Sequence, residues 1–128
     1  MVRLFMATAL LLALAGCHTN ARTHYHNAEM AYMAKDYTKA IAEYDKSLAK
    51  QPDSVIARFG KAKTYYAMGK WVEARTLFEE FITLTEKEIH EYRHEREDAV
   101  FYRDSCRQEL GETVEQDPSK VPDPPMGE

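Results

Sequence analysis

Apolar side chains recur along the middle of the chain at steps of three and four residues. Beginning after Asp36, this set contains Tyr37, Ala40, Ile41 and Tyr44 and continues to Leu48. Such spacing places the apolar residues on one side of an α-helix and leaves the other sides polar. The pattern therefore predicts an amphipathic helix that buries one stripe against a neighbour.

Residues that start and stop helices lie at the ends of the apolar stripes. Asp36 can cap the helix that follows it, and Asp53 or Ser54 can cap the next one after the break at Pro52. Gly69 can adopt the positive φ that ends a helix. No segment shows sustained alternation of β-branched and polar residues, so we expect an all-α fold without a sheet.

A self-similar pattern recurs at an offset of 34 residues. The segment 35–40 aligns with 69–74, and aromatic, aliphatic and small residues outside these segments align at the same offset. The aligned pairs are Tyr44 with Phe78, Leu48 with Ile82, Tyr32 with Tyr66, and Ala28 with Ala62. Such a period indicates stacked copies of one supersecondary unit.

This pattern resembles the tetratricopeptide repeat, a pair of antiparallel helices, over roughly residues 21–85. The residues that match the family's pattern are Ala28, Ala40, Tyr44 and Pro52 in the first copy, and Ala62, Tyr65, Gly69, Ala74 and Phe78 in the second. Asn27, Ala31 and Glu86 depart from it. The resemblance implies repeats at about 21–54 and 55–88.

A half-repeat follows at a larger offset. Ala57, Phe59, Met68 and Gly69 match Ala99, Phe101, Leu110 and Gly111 at an offset of 42. We expect the eight extra residues to lengthen a helix toward Tyr92, and residues 97–111 to form a terminal capping helix. The predicted fold is a short α-solenoid of about two helix pairs plus this C-terminal cap, spanning residues 21–111.

The beginning of the chain has the layout of an export signal. Arg3 precedes an apolar run over residues 4–15, which is too short to remain as a membrane span of about 20 residues. Residues 14–17, Leu-Ala-Gly-Cys, resemble the bacterial lipobox. The resemblance implies a signal peptide over residues 1–16, an acylated Cys17 and a tether over residues 17–20. An ordinary secretory signal with a chance cysteine is the alternative.

The residue after Cys17 indicates which bacterial membrane would hold the lipidated protein. In enterobacterial lipoproteins an aspartate there commonly retains the protein in the inner membrane, and this chain has His18 instead. We therefore expect a lipid-anchored protein (palmitate being a typical acyl group) on the periplasmic face of the bacterial outer membrane.

Size, charge and cysteine content narrow the class further. Removing residues 1–16 from the 128-residue chain leaves 112, enough for one modest domain. The net charge of −4 offers no basic footprint for nucleic acid. Lipidation of Cys17 would leave Cys106 as the remaining thiol, and its helical apolar context favours a buried inert side chain over a reactive one.

The C-terminal residues 112–128 differ in composition from the repeats. They contain Pro118, Pro122, Pro124 and Pro125 among acidic residues. This composition predicts a disordered acidic tail. A solvated end without a role and a partner-binding segment are equally compatible with it.

One segment matches a catalytic pattern. His90, Glu91 and His94 have the spacing His-Glu-x-x-His, which on a helix places two imidazoles around zinc with a glutamate as base. The neighbouring residues are highly charged, and an all-α fold provides no sheet for a substrate cleft. We interpret the segment as a solvated charged helix, with His90 and His94 as weak candidates for surface metal binding. No other catalytic pattern is present, so we expect no enzyme activity and no cofactor.

The remaining candidate site is the concave face of the repeats, lined by the first helix of each pair. The alignment assigns to it Tyr25, Glu29, Tyr32, Phe59, Lys63 and Tyr66, with Phe101 and Ser105 from the cap as further candidates. Tyrosine offers large contact area at low entropic cost. Phe59 and Phe101 are equally well interpreted as core residues. Tyr25 and Glu29 replace residues of the family's carboxylate clamp, so we expect an internal segment of a partner as ligand.

These inferences predict a non-enzymatic, membrane-anchored periplasmic adaptor that binds a protein partner in the cell envelope, in the assembly of an envelope complex. A zinc-dependent hydrolase using His90, Glu91 and His94 and a purely structural envelope lipoprotein are the alternatives.

Overall fold

The structure, a computed structural model, describes residues 20–112, and this part of the chain is helical without strands. The helices are α1 (20–33), α2 (Tyr37–Lys50), α3 (Val55–Ala67), α4 (Trp71–Leu84) and α5 (Arg93–Glu109), with a short 3₁₀ helix at Glu86–Glu88. The predicted signal peptide, Cys17 and residues 113–128 of the predicted tail lie outside the described residues.

Helices adjacent in sequence pack against each other. α2 contacts α3, α3 contacts α4, and α4 contacts α5, while α3 also contacts α5. This arrangement confirms the predicted short helical solenoid. Among residues 20–112, no helix combines the length and hydrophobicity needed to cross a membrane.

The helix starts follow the sequence signals. The Asp36 carboxylate accepts a hydrogen bond from the Lys39 backbone N–H at 3.2 Å, which caps α2. Of the two candidates for α3, Ser54 is the capping residue, and its Oγ accepts from the Ala57 N–H. Each cap satisfies one of the N–H groups that a helix start leaves without an intrahelical partner.

Three helices end in the same left-handed turn. Gly69 has a φ of 71°, as predicted, and Gly111, its equivalent at the offset of 42, also has a φ of 71°. Lys35 occupies the equivalent place after α1 with a φ of 59°. In each case the next residue's N–H bonds back to a carbonyl five positions earlier, as in Asp36 to Ala31 at 2.9 Å.

Small residues let α1 approach α2 and α3. Ala28, Ala31, Ala40 and Ala57 are buried around the fully buried ring of Tyr44. Gly60 on α3 lies directly against the same ring, where a Cβ would meet ring atoms Cζ and Cε1 at 2.6 and 2.7 Å. The first repeat therefore depends on one aromatic ring packed among residues with little or no side chain.

A second cluster joins α3, α4 and α5. It contains the rings of Phe59, Phe78 and Phe81, together with Ala99 and Cys106. Phe59 lies 5.0 Å from Phe81 and 5.9 Å from Phe78 between ring centroids. Burial raises the pKa of the Cys106 thiol, because the thiolate is poorly solvated there. This agrees with the sequence interpretation of Cys106 as a buried, inert residue.

The expected lengthening of a helix toward Tyr92 is wrong. α4 ends at Leu84, and the extra residues form the 3₁₀ helix and turns that lead to Arg93. Arg96 explains why α4 ends at Leu84, because its guanidinium donates to the Ile82 carbonyl at 2.5 Å and to Thr85 Oγ1 at 2.7 Å. A cation that bonds the last carbonyls of a helix stabilises its C-terminus.

Candidate functional site

The predicted groove residues of successive repeats contact each other, so they share one face. Tyr32 of α1 meets Lys63 of α3, whose Nζ lies 5.5 Å from the centre of the tyrosine ring. Tyr66 of α3 meets Ser105 of α5 through hydroxyl groups 2.9 Å apart. We call the surface formed by Tyr32, Lys63, Tyr66, Tyr102 and Ser105 the inner strip.

Tyr102 belongs to this surface although the repeat pattern did not indicate it. Its ring lies 4.7 Å from Tyr66 and stacks on the buried Phe78 ring at 5.4 Å with an interplanar angle of 16°. At the offset of 42, Tyr102 replaces Gly60. The repeat alignment did not identify it, because the equivalent residue Gly60 has no side chain. The signal that could have identified it is the helical spacing of Ala99, Tyr102 and Cys106.

Phe59 and Phe101 occupy equivalent pattern positions but have opposite environments. Phe59 is 8% exposed and belongs to the core, where α4 covers it with Phe78 and Phe81. The assignment of Phe59 to an exposed binding groove is therefore corrected. Phe101 is 67% exposed, so its interpretation as a core residue is wrong. Its ring lies beside Tyr102 at 5.6 Å, next to the inner strip.

Tyr25 and Glu29 lie on the same helix as Tyr32 but are tied to Tyr44 of α2. The Tyr44 hydroxyl donates to the Glu29 carboxylate, and the Tyr25 ring meets Tyr44 edge-on at 6.1 Å. Burial and the bond to Glu29 raise the pKa of Tyr44. Glu29 consequently serves as the acceptor for a buried phenol as well as forming part of the predicted face.

The charge of the inner strip comes from Lys63. Its ammonium lies over two rings, Tyr32 and Phe59, at 5.5 and 5.3 Å. Within residues 20–112, no carboxylate lies within ion-pair distance of Lys63. Burial raises the pKa of Tyr25 and of Tyr32, so both phenols keep their protons and can donate hydrogen bonds at neutral pH.

The segment with the His-Glu-x-x-His spacing does not form the helix on which the zinc interpretation depends. His90 and Glu91 lie in turns, and α5 begins only at Arg93. The His94 side chain is 89% exposed and its Nδ1 lies 4.0 Å from Glu97. No group of three potential metal ligands occurs within the described range 20–112. The two imidazoles are therefore not held on one helical face.

A hydrogen-bond network centred on Glu43 holds α1 against α2 outside the inner strip. The Glu43 carboxylate bonds Lys46 Nζ at 2.6 Å and His24 Nδ1 at 2.7 Å. The hydrogen bond from Lys46, followed by that from His24, lowers the pKa of Glu43 to about 2. Glu43 thus remains ionised at neutral pH and helps to fix the helix that carries Tyr25, Glu29 and Tyr32.

Comparison with known proteins supports the repeat interpretation. Residues 31–82 match the family described as tetratricopeptide repeat. This range runs from the end of α1 through α2 and α3 to the last turn of α4. Neither the curated proteins nor the solved structures gave a match. The fold and the family match together indicate a helical-repeat module of the class that serves protein–protein interaction.

Proposed function

We propose that this chain is a non-enzymatic adaptor that binds an extended segment of a partner protein across the inner strip. The observation that carries the proposal is the contact of Tyr32 with Lys63 and of Tyr66 with Ser105, which makes one surface from α1, α3 and α5. A surface shared by three helices is long enough to contact several residues of a ligand at once.

The chemistry of the inner strip suits recognition better than catalysis. Tyrosine rings provide contact area at little entropic cost, and their hydroxyls can bond to a ligand backbone. The exposed Phe101 extends the surface with an apolar ring that is available to a partner. The cysteine of the described chain is buried, and its histidines lack the third ligand that a zinc site needs.

The lipobox resemblance adds a location to the proposal. An acylated Cys17 would hold the module at the periplasmic face of the outer membrane, a few residues from the start of α1. Tethering raises the effective concentration of the module near a membrane-bound partner, so a small surface need not bind tightly in free solution. The envelope assembly role rests on this location and on the repeat class.

Site-specific photo-crosslinking in cells tests the partner-binding surface. A photoreactive residue in place of Phe101 is expected to capture a protein, and the same probe at Val72 on α4, which is also exposed, is the matched control. Capture should disappear when Tyr32→Ala is added, while helical circular dichroism stays unchanged. Equal capture at both positions, or none at Phe101, would contradict the adaptor function.

Replacement of Cys17 tests the tether separately. The Cys17→Ser chain is expected to incorporate no labelled palmitate and to leave the membrane fraction, with the same melting temperature as the unmodified module. Partner capture through Phe101 should fall in cells because the effective concentration is lost. A Cys17→Ser protein that remains membrane-bound would refute lipid anchoring without bearing on the inner strip.

A further inference from the structure

Lys63 lies among the aromatic rings of the inner strip. Its ammonium is held over Tyr32 and Phe59, and no carboxylate of the described residues pairs with it. By contrast, the neighbouring Lys61 forms an ion pair with Asp45 at 2.6 Å. A partly buried lysine between aromatic rings provides a suitable contact for a segment that brings a carboxylate and apolar rings together.

The described chain leaves the end of α5 beside α4. Contacts across the inner strip join the C-terminal halves of the first helices, as between Tyr32 and Lys63 and between Tyr66 and Ser105. α5 ends at Glu109, and the chain turns back at Gly111, so that the Glu112 carboxylate pairs with Arg75 near the start of α4. A helix-to-helix distance of about 10 Å separates Ser105 from the α3 position of Lys63. The tail must therefore pass around the end of α5 to reach the inner strip.

Residues 113–128 contain the acidic and proline residues that could contact a lysine set among aromatic rings. They contain four prolines, the acids Glu115, Asp117, Asp123 and Glu128, and one lysine. Proline-rich segments favour the polyproline II conformation, which rises about 3.1 Å per residue and docks on aromatic-lined grooves with little loss of entropy. At this rise the 16 residues of the tail span up to about 50 Å, which is long enough for their carboxylates to reach Lys63.

We propose that residues 113–128 of the same chain bind the inner strip, with a carboxylate from Asp117 or Asp123 paired to Lys63 and prolines against the tyrosine rings. This inference rests on the inner strip of the proposed function and names an internal ligand for it. A connection this short gives a millimolar effective concentration, so even a weak contact is populated. A protein partner must then displace the tail, which favours acidic, proline-containing partner segments.

Carbodiimide coupling of the full chain tests the contact, because this reagent joins a lysine amine directly to a carboxylate in contact with it. Mass spectrometry of digested monomer is expected to find Lys63 joined to Asp117 or Asp123. The Lys61–Asp45 pair is an internal positive control, and Lys50, exposed at the end of α2, is the negative control. Coupling of Lys61 without any Lys63–tail product would overturn the proposal.

Mixing light and heavy isotope-labelled chains distinguishes binding of the chain's own tail from binding of the tail of a second copy. Products between Lys63 and the tail are expected within one isotope class and independent of protein concentration. Mixed products that increase with concentration would show the tail bound to a second copy and would overturn binding within the same chain.

Competition by a synthetic peptide of residues 113–128 gives a second readout. The full chain with Asp117→Asn and Asp123→Asn should bind this peptide at least tenfold more tightly than the unmodified chain, whose site is occupied. Adding Lys63→Glu should abolish binding, whereas Lys50→Glu should leave it within twofold. Equal binding to all four proteins would overturn the proposal. Photo-crosslinking of a partner through Phe101 would still succeed in that case, so failure of the tail contact is separable from failure of the adaptor function.

Discussion

The close approach of Gly60 to Tyr44 makes the Gly60→Ala substitution the most informative test of the fold. The new Cβ would lie 2.6 Å from Cζ and 2.7 Å from Cε1 of a fully buried ring. Carbon atoms pack at about 3.5–4.0 Å, so the ring or α3 must move by about 1 Å. The Tyr44 hydroxyl, which bonds Glu29, lies in the same contact and would be displaced with the ring.

The expected cost follows from two opposing effects. Overfilling a packed core typically costs about 1–3 kcal/mol. Alanine is preferred over glycine inside a helix by about 1 kcal/mol, which offsets part of that cost. We therefore expect Gly60→Ala to lower the free energy of unfolding by up to about 2 kcal/mol, a fall in melting temperature of up to roughly 15 °C for a domain of this size.

A double-mutant cycle with Tyr44→Leu isolates the contact. Urea unfolding followed by circular dichroism gives each free energy, and Ala42→Gly on the exposed side of α2 measures the helix propensity difference alone. In the Tyr44→Leu background the clash is gone, so Gly60→Ala should be neutral or stabilising by up to about 1 kcal/mol. An equal cost of Gly60→Ala in both backgrounds would refute the steric explanation.

Three further substitutions test local features of the fold. Lys35→Gly should raise the free energy of unfolding by about 0.5–1 kcal/mol, because the left-handed turn at a φ of 59° suits glycine, as at Gly69. A lower free energy of unfolding in urea would contradict this. Asp36→Ala should cost about 1 kcal/mol through loss of the α2 cap, and Asp36→Ser much less. Glu43→Gln should lower the free energy of unfolding by on the order of 1 kcal/mol at pH 7, after allowance for solvent screening of Lys46. Because folding lowers the pKa of Glu43 from 4.5 to about 2, this difference should persist above pH 4.5 and disappear as the pH falls through about 2; a pH-independent difference would refute the ionic origin.

The helices and their ends could be predicted because their signals are local. The apolar stripe after Asp36, the caps at Asp36 and Ser54 and the turn at Gly69 each depend on residues within about one helical turn. The 34-residue offset added the antiparallel arrangement of pairs, since a repeated unit must bury its apolar face against the next copy. These features did not require knowledge of long-range contacts.

The segment between α4 and α5 was not predictable in the same way. Charged residues there are compatible with a helix, and the sequence pattern suggested one running toward Tyr92. The end of α4 is instead fixed by Arg96, which reaches back to the Ile82 carbonyl and to Thr85. The same turns remove the helical spacing of His90 and His94 on which a zinc site would depend.

The sequence by itself determined an all-α repeat fold, its helix caps and the helices that carry the candidate surface. Only the tertiary structure decided which residues of that surface are available to a partner. Phe59 and Phe101 have equivalent places in the pattern, yet Phe59 is buried because Phe78 and Phe81 of the following helix cover it, whereas Phe101 lies on the last described helix and remains exposed. Burial depends on the elements that pack above a residue, and that information is absent from its own local pattern.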